Sequence, residues 1–123
     1  MINWWKTELN DLECKAAFNA IKNKHLSAGP IVKEFEDEFA KLVNVKYAVA
    51  CPSGSMALVM ALLSQGIKPN DEVIVPASTW ISTAHAPMLI GAKTILVDVL
   101  KDRPIIDCNE IEKKISSKTK AII

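Results

Sequence analysis

The sequence predicts an α/β fold with a mainly parallel sheet flanked by helices, on three observations. Segments with helical periodicity alternate with short apolar runs after an initial pair of helices. The runs at 47–51, 72–75, 94–97 and 120–123 are almost continuously apolar, which suits strands covered on both faces. The stretches 54–65 and 78–90 between them are long enough for the crossover helices that parallel strands require, and right-handed crossovers follow. With 123 residues, half of them hydrophobic and a quarter charged, the chain suits one domain over 1–123 with ample core material.

The first helix is expected over 8–24. Leu9, Leu12, Ala16, Ala17, Ala20 and Ile21 recur at helical spacing, and Asp11, Glu13, Lys15 and Lys22 occupy the other face. A Ser27-Ala28-Gly29-Pro30 turn ends this unit, and Pro30 suits the first position of a second helix over 30–43. Its apolar stripe is Val32, Phe35, Phe39, Leu42 and Val43, and the acidic residues Glu34, Glu36, Asp37 and Glu38 read as its solvated face. A strand over Tyr47–Cys51 follows and breaks at Pro52-Ser53-Gly54-Ser55 into a strongly helical run. Strands are then expected at 72–75, between Pro69-Asn70-Asp71 and Pro76, at 94–97 after the Gly91-Ala92 turn, and at 120–123. A helix at about 108–115 precedes the last of them. A chain stopping at Ile123 would end on a buried strand, so the sequence is expected to be the first part of a longer polypeptide or to need a partner, with an ordinary C-terminal strand as the alternative.

Charge and composition narrow the function classes. Fifteen basic and fourteen acidic residues give a net charge of +1, and the lysines are scattered, which argues against nucleic acid as a partner. The amino terminus lacks the pattern of a signal peptide, and the run 56–63 is too short to span a bilayer, so no membrane partner is expected and the cytoplasm is the expected location. Cys14, Cys51 and Cys108 are odd in number and share no ligand spacing, so reduced cysteines and no metal are expected.

The stretch that carries chemistry is the strand–turn–helix at 47–63. The first turn of a helix leaves backbone N–H groups without intrahelical partners, and the dipole adds partial positive charge there. Glycine lets a phosphate approach the backbone closely, so Ser53-Gly54-Ser55 is a candidate anion cradle. The structural alternative is an ordinary Ser53 N-cap followed by a tight-turn glycine.

Further blocks occur in a fixed order. They are Ser27-Ala28-Gly29-Pro30 with Phe35-Glu36, Ala48-Val49 followed by Ser53-Gly54-Ser55-Met56-Ala57-Leu58, and the stretch Gly66 to Pro76. Thr79-Trp80, Gly91-Ala92, Val97-Asp98-Val99 and Thr119 to Ile123 complete the series. In this register the chain resembles the DegT/DnrJ/StrS family of sugar aminotransferases over nearly its whole length. The resemblance implies the amino-terminal part of the aspartate-aminotransferase-like (PLP fold type I) large domain and the cofactor pyridoxal 5'-phosphate. It places Gly54, Ser55 and Met56 at the cofactor phosphate and the Trp80 ring on the pyridine ring, a use that suits a large π-face. A buried anchor is the alternative role for Trp80. The resemblance further implies a homodimer, with nucleotide-sugar and amino-acid substrates: an amino group passes from glutamate or glutamine to a nucleotide-linked keto-sugar, in amino-sugar or polysaccharide biosynthesis. Some members of the family are dehydratases instead.

No residue here is assigned a catalytic role. The lysine that forms a Schiff base with the cofactor, and the carboxylate at the pyridine nitrogen, are implied beyond the position matching Ile123, so Lys93, Lys101 and Lys120 receive neither role. The 123 residues alone are accordingly expected to be inactive. A phosphate- or nucleotide-binding module without catalysis, or a scaffold remnant, is the reading from a different class; the lack of GxGxxG and GxxxxGK[ST] patterns counts against familiar nucleotide cradles. His85 is read as a polar contact near Trp80 or as a structural histidine, and Thr79, Ser82 and Thr83 as caps or site hydroxyls. Asp98 is read as a strand-end carboxylate or a turn cap, His25 as a partner of the first helix dipole, and Trp4 and Trp5 as cover for an interface or packing of the amino terminus.

Overall fold

The computed structural model describes residues 5–123, so Trp4 lies outside the described residues. The chain divides into two compact units, one ending at Ala50 and the other running Cys51–Ile123.

The first unit holds two helices. Helix α1 spans Asp11–Lys22, later than the expected start at 8, because Asn10 caps it: Asn10 Oδ1 accepts the Leu12 N–H at 2.8 Å, and Glu13 Oε2 accepts the Asn10 N–H at 2.8 Å. The Asn10 N–H holds the Glu13 carboxyl below its usual range. Because the bond favours the ionised form, its contribution is present above the ordinary glutamate range and is lost as pH falls through the lowered value. Helix α2 spans Pro30–Leu42 with proline at its start. The acidic face of α2 is not wholly solvated as expected: Glu36 is half-buried, and its Oε1 accepts the Ala50 N–H at 2.8 Å.

The expected strand at 47–51 does not form. Among the described residues this extended segment has no ladder partner, and Tyr47 and Val49 are 74% and 68% exposed. An apolar run becomes a strand only when a neighbour satisfies its N–H and C=O groups, and the local sequence does not supply one.

The second unit is the sheet layer. Helix α3 (Gly54–Ser64) leads to β1 (Glu72–Pro76), α4 (Ile81–Leu89) to β2 (Lys93–Val97), and α5 (Cys108–Lys114) to β3 (Thr119–Ile122). The three strands form one parallel sheet in the order β2-β1-β3. The β1–β3 register shifts between Glu72 and Val73. Val73, Ile74 and Val75 are all fully buried, as the continuous apolar run predicted for a strand covered on both faces. Val73 and Val75 share a cluster with Val59 and Leu62 of α3 and Ala86 of α4; Ile74 points to the opposite face by strand alternation. The edge strand β3 departs from expectation, with Lys120 and Ile122 exposed in alternation with half-buried Thr119 and Ala121. Among the described residues one of its faces is covered.

Four helices end in the same way. In α1, α2, α3 and α4 the residue after the C-cap has positive φ (Lys24 60°, Asn44 54°, Gly66 72°, Gly91 77°). The next residue's N–H then returns to a carbonyl five positions back, as in His25 to Ala20 and Ala92 to Pro87. This double closure satisfies carbonyls that the helix end would otherwise orphan. Glycine takes the left-handed conformation without a Cβ penalty, and lysine does not. At Gly91 a Cβ would also stand 3.2 Å from two Pro69 side-chain carbons.

Two opposite changes in urea unfolding of the full-length protein follow from these ends. Gly91→Ala is expected to lower stability by about 1–2 kcal/mol, and Lys24→Gly to raise it by up to about 1 kcal/mol. Equal midpoints for both variants and the parent would refute the account.

Candidate functional site

The carboxyl end of β1 and the first turns of α3 and α4 make one cluster of donors and hydroxyls within the second unit. Ser53 is the N-cap of α3 with extended backbone, and its Oγ accepts the Met56 N–H at 3.3 Å. Gly54 and Ser55 are therefore the first two helical residues. Their N–H groups have no intrahelical partner by position and none elsewhere among the described residues. The Met56 N–H is already held by the cap, so Gly54 and Ser55 supply the unpaired donors of this turn.

Gly54 is not demanded by the backbone. It is absent from the positive-φ residues, and a Cβ built on it would meet nothing within 4 Å. Gly54 and Ser55 are both exposed, so this first turn is accessible from solvent. The tight-turn reading of Gly54 thus does not hold, whereas the N-cap reading of Ser53 does.

Helix α4 brings a second first turn to the same place. After β1 the chain passes through Ala77-Ser78-Thr79 to Trp80, which is the N-cap residue of α4 and makes no side-chain cap bond. Tryptophan is a poor cap beside Ser, Thr, Asp or Asn. Trp80 is 71% exposed, so no described residue buries it. Two residues on, Ser82 Oγ lies 2.7 Å from Ser55 Oγ, a hydrogen bond that ties the first turns of α3 and α4 together. Thr79 and Thr83 pair through their hydroxyls at 3.2 Å, and Thr83 is buried. Two helix N-termini, two serine hydroxyls and an exposed indole are thus set at the end of the sheet where ligands of parallel folds collect.

The remaining candidates scatter. His85 is exposed one turn beyond Ser82, and Asp98 follows β2 with its backbone C=O accepting the Asp107 N–H at 3.0 Å. His25 belongs to the first unit, where it lines a cavity of about 540 Å³ with Ala16, Ala20, Ile31 and Glu34. None of Gly54, Ser55 and Trp80 lines that cavity. Trp5 is exposed. Cys14, Cys51 and Cys108 are free thiols, and no metal-ligating cluster occurs among the described residues. No helix among them is long and apolar enough to cross a membrane.

Two contacts were not legible in advance. Ser82 reads as a cap or a site hydroxyl, and its contact with Ser55 spans 27 positions. The position of each serine in the first turn of a successive helix was the available signal. Glu36 reads as one of four carboxylates on α2, and nothing local singles it out as the acceptor for Ala50.

Comparison with known proteins agrees with this geometry. A sequence profile of the DegT/DnrJ/EryC1/StrS aminotransferase family matches residues 8–123. The chain superimposes on Spr1654 from Streptococcus pneumoniae, a candidate sugar aminotransferase in its PLP form. The TM-score is 0.93 and the identity 27%, over 98% of this chain and 31% of that one. DesV of S. venezuelae gives a TM-score of 0.80 and 34% identity over 91% of this chain and 31% of that one. The E. coli GDP-4-keto-6-deoxy-D-mannose-3-dehydratase with bound hydrated PLP gives 0.84 and 32%, over 95% and 32%. The chain spans about a third of the length of these proteins. Its fold is that of the amino-terminal part of the aspartate-aminotransferase-like large domain. By this match the chain belongs to the DegT/DnrJ/EryC1/StrS aminotransferase family.

Proposed function

We propose that this chain provides the phosphate cradle and ring support for pyridoxal 5'-phosphate in an enzyme that transfers an amino group from glutamate or glutamine to a nucleotide-linked keto-sugar. The observation that carries this reading is the junction of the α3 and α4 first turns through Ser55 and Ser82, beside the exposed Trp80. The similarity to enzymes solved in PLP-bound form supports the choice of ligand.

The residues present fit that group. Gly54 and Ser55 are exposed and their amides offer donors to a phosphate dianion, while the dipoles of α3 and α4 favour its charge. The Ser55 hydroxyl adds a further donor, and the Met56 amide shares its proton with Ser53 Oγ. Trp80 presents a π-face on which a flat heteroaromatic ring can stack, and its backbone is fixed by the Thr83 N–H donating to its C=O at 3.0 Å. When bound, pyridoxal phosphate serves as an electron sink for bonds at the amino-bearing carbon. The residues on this chain orient that group and hold its charge; they move no proton in the reaction. The reacting lysine and the carboxylate at the ring nitrogen are assigned to residues beyond the matched third, so the 123 residues by themselves are expected to bind or position rather than to turn over substrate.

Dehydration of the same class of sugar is the second reading, favoured by the 32% identity to the E. coli dehydratase. The products distinguish the two: a nucleotide sugar that has gained nitrogen indicates amino transfer, and one that has lost a hydroxyl without gaining nitrogen indicates dehydration. A homodimer in the cytoplasm, serving amino-sugar or polysaccharide synthesis, completes the proposal.

Two substitutions in the full-length protein test the cofactor assignment. Trp80→Ser introduces a better N-cap, so the melting temperature is expected to hold or rise while pyridoxal-phosphate affinity falls about tenfold. Gly54→Ala is expected to leave folding intact, or to stabilise it by about 0.5 kcal/mol, because its Cβ meets no neighbour. The same methyl projects into the phosphate approach and is expected to weaken cofactor binding in equilibrium dialysis. Unchanged affinity in both variants would refute the assignment of this end of the sheet to the cofactor.

A further inference from the structure

We propose that Ser82 is a positioning residue for the phosphate cradle, whose hydroxyl donates to Ser55 Oγ and so leaves the single Ser55 proton for the ligand phosphate. The inference rests on the cofactor reading above and assigns within it a role to a residue on a different helix. A serine hydroxyl carries one proton and two acceptor lone pairs. The 2.7 Å contact between Ser55 and Ser82 therefore has two possible polarities. If Ser55 donates to Ser82, its lone pairs face outward and repel an anion. If Ser82 donates, Ser55 is free to donate outward, and each bond in the chain from Ser82 through Ser55 to the phosphate polarises the next. An anion in the cradle selects the second polarity.

Position supports the assignment. Ser55 and Ser82 are each the second residue of their helix, since Gly54 opens α3 and Ile81 opens α4, so both hydroxyls sit in the positive end of a helix dipole. Ser55 is exposed on the open side, whereas Ser82 is half-buried behind it. The outer hydroxyl is the one that reaches a ligand. Among the described residues Ser55 Oγ has Ser82 as its hydroxyl partner and neither Thr79 nor Thr83, so Ser82 is the hydroxyl that sets the direction of Ser55.

The test measures affinity for pyridoxal phosphate and for pyridoxal, which lacks the phosphate, by equilibrium dialysis against the full-length protein. The proteins are the parent, Ser82→Ala, Ser82→Thr, Ser55→Ala and the double variant Ser55→Ala/Ser82→Ala. Ser82→Ala is expected to weaken pyridoxal phosphate about three- to tenfold while changing pyridoxal less than about twofold. The double variant is expected to lose no more than Ser55→Ala alone, because Ser82 acts through Ser55. Ser82→Thr keeps the hydroxyl and is expected to restore affinity. Ser82→Cys, nearly isosteric with a weak donor, gives an intermediate loss and serves if the alanine variant does not fold. Equal weakening of both ligands, additive losses in the double variant, or no loss at all would each overturn the proposal. A parent protein that fails to prefer pyridoxal phosphate over pyridoxal would overturn the cofactor reading itself, before any variant is considered.

Discussion

The parallel pairing of β1 with both of its neighbours is the constraint on which the rest of the second unit depends. A parallel strand cannot be reached by a tight turn, so each strand must be followed by a crossover that carries the chain back to the starting end of the sheet. Helices that perform this return begin where the strands finish. The first turn of α4 therefore falls at the carboxyl end of β1, and α3, which returns the chain to the start of β1 and packs on α4, begins at the same end. Two sets of unpartnered amides gather there as a consequence of topology, before any side chain is chosen. The sequence then decides whether that end is closed or open. Here it is left open in front of Gly54, and an indole is placed beside it.

Much of this was legible because local rules and the global fold agree. The run Glu72 to Val75 reads as a doubly covered strand, and its three central residues are buried without remainder. Pro30 marks the start of α2, and the residues of positive φ mark helix ends where Gly66 and Gly91 stand in the sequence. What stayed hidden depends on partners distant in sequence. The 47–51 segment has strand composition, but composition does not provide a ladder. Glu36 is one carboxylate among four until the Ala50 amide selects it. Ser82 and Ser55 each satisfy the local profile of a helix-start residue, so neither announces the contact between them. The start of α1 was misplaced by three residues for a milder reason: Leu9 fits the helical period, yet the capping box of Asn10 and Glu13 ends the helix at Asp11.

Two residues at this end of the sheet, Trp80 and Gly54, are poor choices for folding. Tryptophan at an N-cap forgoes the side-chain bond that a serine would make, and it exposes an apolar surface that folding would rather cover. Glycine at the first helical position forgoes the entropy advantage of alanine without any strain or clash to require it. Departures of this kind concentrate where a site needs access more than rigidity. They contrast with Gly66 and Gly91, whose positive φ gives each a backbone reason. The comparison separates Gly66 and Gly91, which the backbone requires, from Gly54, which it does not.

In the proposed assignment the cradle meets only a phosphate and a flat ring, and neither feature distinguishes one sugar from another. The chain is 34% identical to DesV and 32% identical to a sugar dehydratase, in each case over about a third of the longer protein. Near-equal similarity to more than one such protein is what a shared cofactor end should give, since amino transfer and dehydration place the same demands on phosphate and ring. The choice between them has to be made by groups that touch the sugar and move its protons. No residue at the Gly54–Ser55 turn has that reach in its chemistry: two amides, two hydroxyls and an indole can hold charge and stack a ring, but none is a base at neutral pH. Under the proposed assignment the division of labour is physical: the first turns of α3 and α4 would fix where the cofactor lies, and groups that touch the sugar would decide what it does.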